Sequence, residues 1–280
     1  MQNKEPELID QAVNGDKKAL ETLLLSVQDM LYNLSLRMLG SPQDAEDAVQ
    51  EIMIKIITQL STFRKESAFS TWAYRVAANY LINCKKSMFA QRPLSFEFYG
   101  EDINMGFVPN TEDLLQGVEE EILADELKAS CTNVMLQCLD PESRCIYVLG
   151  LMFKADSRVC GEILGLTAEA YRQRLSRIRK KVAAFLGEYC GLSGTGKCNC
   201  QKRVGYAILT HRLNPGNLEY SSQEKLAHSD TAKFTEAMEE MDRLSGVFTQ
   251  LPQYRSPLDA KSFLKKLLKS GSMDVIRAEV

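Results

Sequence analysis

"RVCGEILGLTAEAYRQRLSRIRKKVAAFL", residues 158–186, is the stretch on which the fold turns. Apolar residues recur every three or four positions on both sides of Gly165, Leu166 and Thr167, so it reads as two helices split by a short turn, the spacing of a helix-turn-helix. In the second helix Ala168, Tyr171, Leu175, Ile178 and Val182 can face inward, which leaves Arg172, Gln173, Ser176, Arg177 and Lys180 facing out. Arg172, Arg174, Arg177, Arg179, Lys180 and Lys181 place six cations within ten residues. Such a helix can enter a major groove, with Arg suited to guanine edges, Gln to adenine and the other cations to phosphates. A plain charged surface helix has the same composition, but the short helix and Gly turn before it favour DNA binding.

The same helical period runs through most of the chain, and alternating strand patterns are nearly absent, which predicts an all-α fold. Leu20, Leu23, Leu24, Val27, Leu31, Leu34 and Met38 form one amphipathic stretch that Gly40 ends. A second helix opens at "SPQDAED", where Ser41 can cap, Pro42 suits the first helical position and Asp44 and Glu46 favour the positive helix start. It should run to about Leu60. A third should begin near Ser70 or Thr71, with Trp72, Ala73, Val76, Ala77, Tyr80 and Cys84 on its buried side. Residues 88–118 hold Pro, Gly, Asn and acidic residues without a sustained period and read as a linker. Helical patterning resumes from Val118 to Cys138, "LDPES" opens a further unit, and the tail carries one more amphipathic helix near residues 229–248.

Length and charge bound the rest. A chain of 280 residues suits two domains with accessory segments. No apolar run approaches the about 18 residues needed to span a bilayer, and the acidic, polar N-terminus is unlike a secretion signal, so a cytoplasmic protein with reduced cysteines is expected. The net charge of −3 hides a segregation. Counting Lys+Arg against Asp+Glu, residues 1–90 give 10 − 11 = −1, residues 91–140 give 2 − 11 = −9, residues 141–203 give 12 − 5 = +7, and residues 204–280 give 10 − 10 = 0. An acidic connector followed by a basic module suggests that one part meets a polyanion while another avoids it, although solvated faces give the same count. Two histidines, no nucleotide-binding Gly loop and no paired catalytic carboxylates argue against an enzyme.

Two further stretches are chemically suggestive. In "DAEDAVQEIMIKII" Ala45, Ala48, Val49, Ile52 and Ile56 form an apolar stripe, with Asp44, Asp47, Gln50, Glu51 and Ile54 opposite; by patterning alone that polar stripe is a wet face. "STFRKESAFSTWAYRVAANYLINCKK" interleaves Phe63, Phe69, Trp72, Tyr74 and Tyr80 with Arg64, Lys65, Arg75, Lys85 and Lys86. Aromatics can stack on unpaired bases while neighbouring cations hold the backbone, as single-stranded DNA requires, and the same aromatics can equally be core.

Residues 39–86, "LGSPQDAEDAVQEIMIKIITQLSTFRKESAFSTWAYRVAANYLINCKK", resemble region 2 of bacterial sigma factors of the extracytoplasmic-function class, whose pattern runs A-E-D-x-x-Q-E, a Phe, then F-S-T-W-[LA]-Y-R-[IV]-A-x-N. Residues 139–182 resemble region 4 of that class, its helix-turn-helix. The resemblance implies a region 2 domain over residues 1–90, an acidic linker over 91–120, a region 4 domain over 121–189 and a C-terminal extension over 190–280. It implies a transcription initiation factor that binds core RNA polymerase and directs recognition and melting of promoter DNA. Asp47, Gln50 and Glu51 would dock on the polymerase. Phe63, Arg64, Lys65, Phe69 and Trp72, with Arg75 and Asn79, would open and read the −10 element, where a base leaves the stack for a protein pocket. Arg172, Gln173, Ser176, Arg177 and Lys180 would read the −35 element, and the acidic linker would mimic nucleic acid in the polymerase channel. An anti-sigma protein is a further partner that the class admits, and an attached tail can replace it. The chain departs from the class pattern at Ala170 and Tyr171, where Thr and Val are usual. A metal- or redox-responsive helix-turn-helix regulator acting without polymerase is the alternative from another class.

"YCGLSGTGKCNCQKRV", residues 189–204, is similar to a C-G-L…C-x-C segment found in a subset of the class with a C-terminal extension, and "LSGVFTQLPQYRSPLDAKSFLKKLL" to a late stretch of that subset. Three thiols at Cys190, Cys198 and Cys200 could hold Zn²⁺ or Cu⁺, with His211 as the local fourth ligand. Lys197, Lys202 and Arg203 should lower the thiol pKa values, which would help metal binding and redox reactivity alike. Redox sensing or a structural role are the other readings. Cys84, Cys131, Cys138, Cys145 and Cys160 lie in helical patterns and read as small core residues.

Overall fold

The computed structural model describes residues 5–84, 88–226 and 251–269. Among them there is no strand, only an isolated antiparallel bridge between Lys225 and Tyr254. The expected helix near residues 229–248 lies outside the described residues, as do Lys85 and Lys86.

Helix starts and stops follow local chemistry. Helices α1 (Glu5–Val13) and α2 (Lys17–Leu39) meet at Asp16, whose carboxylate accepts from the Lys18 and Ala19 amides and caps α2. Gly40 ends α2 in the left-handed region at φ 83°, its N–H on the Leu36 carbonyl, a conformation that costs Gly least. Ser41 caps α3 (Pro42–Gln59) by accepting from the Asp44 amide at 3.1 Å, with Pro42 in the first turn. Helix α4 (Phe69–Ile82) begins one residue before the expected Ser70, because the first carboxylate of α1, Glu5, accepts from the Phe69 amide at 3.0 Å. An N-terminal cap supplied from 64 residues away cannot be read locally.

The stretch expected to be a linker carries the short helices α5 (Met88–Gln91), α6 (Phe96–Met105) and α7 (Glu112–Leu115). Phe96, Tyr99 and Ile103, spaced as one helical face, bury α6 against α8 and α11; the helix is too short to show a sustained period, so the face shows only through its partners. Helices α8 (Glu120–Leu136) and α9 (Pro141–Tyr147) follow; Asp140 caps α9 through the Ser143 amide. A π-turn over Val148–Met152 leads to α10 (Ser157–Leu164) and α11 (Ala168–Tyr189), with Gly165 at φ 67° between them. Short 3₁₀ turns at Gly191–Ser193 and Gln201–Arg203 precede α12 (Val204–Leu209), and α13 (Ala260–Lys269) closes the described chain.

One continuous buried core joins α1–α4, α6 and α8–α11 and takes in Tyr220, Leu251, Tyr254, Ala260 and Leu264 from the tail. A smaller cluster packs Leu123, Ala124 and Leu127 of α8 under Val204, Ala207 and Leu213. Buried guanidinia satisfy polar groups at the seams. Arg144 donates to the carbonyls of Leu136, Gln137 and Leu139 at the end of α8 and to Met38 at the end of α2. Burial pushes its pKa down to about 10. Arg37, also lowered by burial, donates to Asn133 of α8 and to the Pro252 carbonyl.

The tail binds both halves. Residues 252–258 run extended along α2 in the opposite direction. Arg37 donates to Pro252 O, Asn33 pairs with both the N–H and C=O of Tyr254 (2.8 and 2.6 Å), and Asp29 accepts from the Ser256 amide at 2.8 Å. The register has a simple cause: four helical residues advance about 6 Å, close to the roughly 6.6 Å of two extended residues. Polar side chains at i, i+4 and i+8 therefore meet alternate residues of the strap. On the other half, the Glu126 carboxylate of α8 accepts from the amides of Glu219, Tyr220 and Ser221 and from the Ser221 hydroxyl, all within 2.9 Å. The Tyr220 hydroxyl then donates to Gly40 O at the end of α2.

Candidate nucleic-acid and polymerase interfaces

Helix α3 buries Ala45, Ala48, Val49, Ile52, Met53 and Ile56 and turns Asp47 and Glu51 to solvent, with Gln50 half-buried beside them. Gln50 and Glu51 stand one turn beyond Asp47 on a helix whose opposite face is core, so the three form a rigid acidic and amide stripe. Lys55, one turn on, lies over the Tyr80 ring at 5.8 Å from its centroid and ties the stripe to α4.

The residues expected at a −10 element divide by burial. Phe63, Phe69 and Trp72 form a closed aromatic cluster, with ring centroids 5.2–6.2 Å apart, and all three are buried. In this conformation they are core and present no stacking face. The loop they close holds Arg64 and Lys65 exposed; Lys65 has a positive φ of 59° and reaches back to Asp10 and to the Pro6 carbonyl of α1. Asn79 is exposed, whereas Arg75 is half-buried and pairs with Glu162 of α10 at 2.9 Å. Tyr74 packs beside Phe153, ring centroids 6.1 Å apart. Helix α4 thus lies against α9 and α10, and the helix-turn-helix covers part of the face that carries Arg75.

On α11 the inward set is Tyr171, Ile178, Val182, Phe185 and Leu186, with Ala168 and Leu175 half-buried. Arg172, Gln173, Ser176, Arg177 and Lys180 are all exposed along the opposite face. Arg172 is steadied by Ser157 at 3.0 Å, and Arg174 is drawn aside by Glu142. Tyr171, at the departure from the class pattern, is 1% exposed, and its hydroxyl donates to Ile146 O at 2.8 Å. Room for it comes from Gly150: a Cβ there would stand 2.6 Å from the Tyr171 oxygen.

The thiols differ from expectation in two ways. Among the described residues no three His, Cys, Asp or Glu side chains stand in the arrangement of a metal centre, so Cys190, Cys198, Cys200 and His211 are not a preformed site. Helix α12 runs between Cys200 and His211 for about 9 Å, and His211 is exposed beyond it at φ 57°. The thiol pKa values are raised, not lowered. Burial dominates at Cys190 and Cys200, and pushes Cys198 up to about 11. Arg203 opposes this weakly at Cys198 and Cys200, since its guanidinium is committed to Asp102 and to the Asp102 and Ile103 carbonyls. Cys138, Cys145 and Cys160 are buried as expected, while Cys84 and Cys131 are half-buried.

Three groups escaped the sequence reading. The Asp29, Asn33 and Arg37 stripe on α2 left a signal, polar residues at fourfold spacing inside an apolar helix, that went unread. Glu126 looked like one more acid of an acidic stretch, and Cys131 like a core cysteine.

Similar proteins place the chain in a family. Residues 23–87, covering α3, α4 and most of α2, match the Sigma-70 region 2 family. The RNA polymerase sigma-H factor of Pseudomonas aeruginosa is 30% identical over 138 residues, 49% of this chain and 70% of that protein. The extracytoplasmic-function RNA polymerase sigma factor SigW of Bacillus subtilis is 28% identical over 174 residues, 61% of this chain and 91% of SigW. A solved structure of CnrH in complex with the cytosolic domain of CnrY aligns at a TM-score of 0.46 and 21% identity, over 64% of this chain and 94% of that one. With the region 2 match, the relatives and the all-helical fold together, the chain belongs to the RNA polymerase sigma factors of the extracytoplasmic-function class and is a transcription initiation factor.

Proposed function

We propose that this sigma factor binds core RNA polymerase through Asp47, Gln50 and Glu51, reads the −35 element through Arg172, Gln173, Ser176, Arg177 and Lys180, and opens the −10 element through the Phe63–Trp72 segment with Arg75 and Asn79. The region 2 match over residues 23–87 carries the reading, because it spans both the acidic stripe of α3 and the aromatic cluster. It also disfavours a regulator that uses the helix-turn-helix alone, which would have no use for that stripe. Asp47→Ala combined with Glu51→Ala is expected to abolish co-purification with core polymerase while the protein stays folded; undiminished binding would remove the docking assignment.

The described conformation is a closed one. A base flipped from the −10 element needs a pocket beside aromatics that here are packed together, and Arg75 needs release from Glu162. We propose that promoter engagement separates α4 from α10, and that the tail opposes this by tying α2 to α8. The Arg75–Glu162 pair, open to solvent on one side, contributes little by itself. The strap and the Glu126 clasp, with their buried and part-buried hydrogen bonds at about 1 kcal/mol each, supply most of the hold. On this reading the attached tail does the work of a separate anti-sigma protein.

A further inference from the structure

We propose that Cys131 joins Cys190, Cys198 and Cys200 as a four-thiolate site for one tetrahedral thiophilic metal ion, zinc in particular, and that His211 has no part in it. Cys131 lies one turn beyond Leu127 on α8, on the face whose Leu123, Ala124 and Leu127 pack around Cys200, and the Gln201–Arg203 turn rests on that same helix. The other side is built through a chain of rings. The Tyr99 hydroxyl contacts Cys131 Sγ at 3.1 Å, Tyr99 stacks on Phe185, and Phe185 packs on Tyr189, the neighbour of Cys190.

The loop between Cys190 and Cys198 is wound to bring its ends together. The Cys198 amide donates to Tyr189 O at 3.0 Å, the Ser193 hydroxyl to Cys190 O and Leu186 O, and the Thr195 hydroxyl to Gly187 O. Gly191 and Gly196 are required by close approach: a Cβ at Gly191 would lie 1.8 Å from Cys198 O, and one at Gly196 2.3 Å from the Cys190 amide nitrogen.

Among the described residues the thiols do not stand as a ready metal group, so the site is one that binding itself would close. Binding replaces four S–H bonds by four S–metal bonds and releases four protons to solvent, with no change of oxidation state. Four thiolates on a divalent ion leave two excess negative charges, and Lys128 and Arg203 are the cations whose charge reaches these sulfurs. Four-coordinate sulfur is the geometry of closed structural zinc sites. Loaded, the site would join α8 and the end of α11 to the start of the tail.

The test uses the whole, reduced protein and needs no polymerase, so its outcome is separate from the transcription reading. Cobalt(II) titration should give one equivalent per chain, a tetrahedral spectrum with a thiolate-to-cobalt charge-transfer band of four-sulfur intensity, and displacement by zinc. Cys131→Ser should weaken binding by more than the roughly 10–100-fold that loss of an outer-sphere partner costs. His211→Ala and Cys138→Ser should bind as the parent does. Absence of the charge-transfer band, three-sulfur intensity in the parent, or loss of binding in His211→Ala would overturn the assignment. The intensity is read on the parent chain, so the result stands even where Cys131→Ser does not fold.

Discussion

Tyr171 shows how one side chain sets the demands on another. It takes a position where the class pattern has Val, and the larger ring is accommodated because residue 150 has no side chain. Gly150→Ala should therefore destabilise the protein by about 1–3 kcal/mol through overpacking, measured by denaturant unfolding. Tyr171→Phe in that background should recover part of the loss, because the hydroxyl is the first atom a new Cβ meets; strict additivity of the two changes would contradict the contact. The inward direction of Tyr171 is legible from helical period. Its dependence on Gly150, 21 residues earlier, is not, because nothing local in a Gly-containing apolar run marks which neighbour will need the space. Arg144 is a second case: a lone cation in an apolar stretch reads as a surface residue, yet it satisfies the carbonyl ends of two helices. Arg144→Met should cost roughly 1–3 kcal/mol by leaving those carbonyls unpaired in the interior.

Elements here are held by matched periods and by charge. The strap on α2 works because helix and extended chain advance by nearly equal steps, so Asn33→Ala, which removes both bonds to Tyr254, should free the strap ahead of global unfolding. Protease cleavage within residues 251–258 would then accelerate at temperatures where the parent resists; equal cleavage rates would speak against the strap's dependence on Asn33. Helix α6 is held to the tail by Asp102, which pairs with Arg203 at 3.1 Å and with Arg212 and accepts from the Tyr206 hydroxyl at 2.9 Å. Burial opposes ionisation of Asp102, but the Arg212 and Tyr206 hydrogen bonds and both guanidinium charges outweigh it and hold its carboxyl below the usual value. A carboxylate with a lowered folded pKa contributes stability above its unfolded value of about 3.9, and that contribution fades as the pH falls through the lower, folded value. Asp102→Asn should accordingly flatten the acid limb of the stability profile in that range and leave its shape near neutrality unchanged. The helices themselves were readable from caps and apolar stripes. The folding of the connector into α6 was not, since its buried face is defined by α8 and α11.

At the scale of the whole molecule, the all-α class, the helix-turn-helix and the exposed faces of α3 and α11 follow from residue pattern, and the roles proposed for those faces rest on the family resemblance. The closed arrangement does not follow. Arg75 and Glu162, Asn33 and Tyr254, and Glu126 and Ser221 are each separated by 87 residues or more, and no periodicity links them. Their combined effect is a sigma factor in which α4 lies against α9 and α10 and the tail is bonded to both α2 and α8. The most direct measurement is reconstituted transcription with core polymerase, comparing the parent with a variant carrying Asn33→Ala and Glu126→Ala, both checked for folding by circular dichroism. Promoter-specific transcripts that depend on the added protein, and rise when the strap and clasp are released, are the expected result. Folded proteins that give no promoter-specific transcript, or equal yields from parent and variant, would contradict the account.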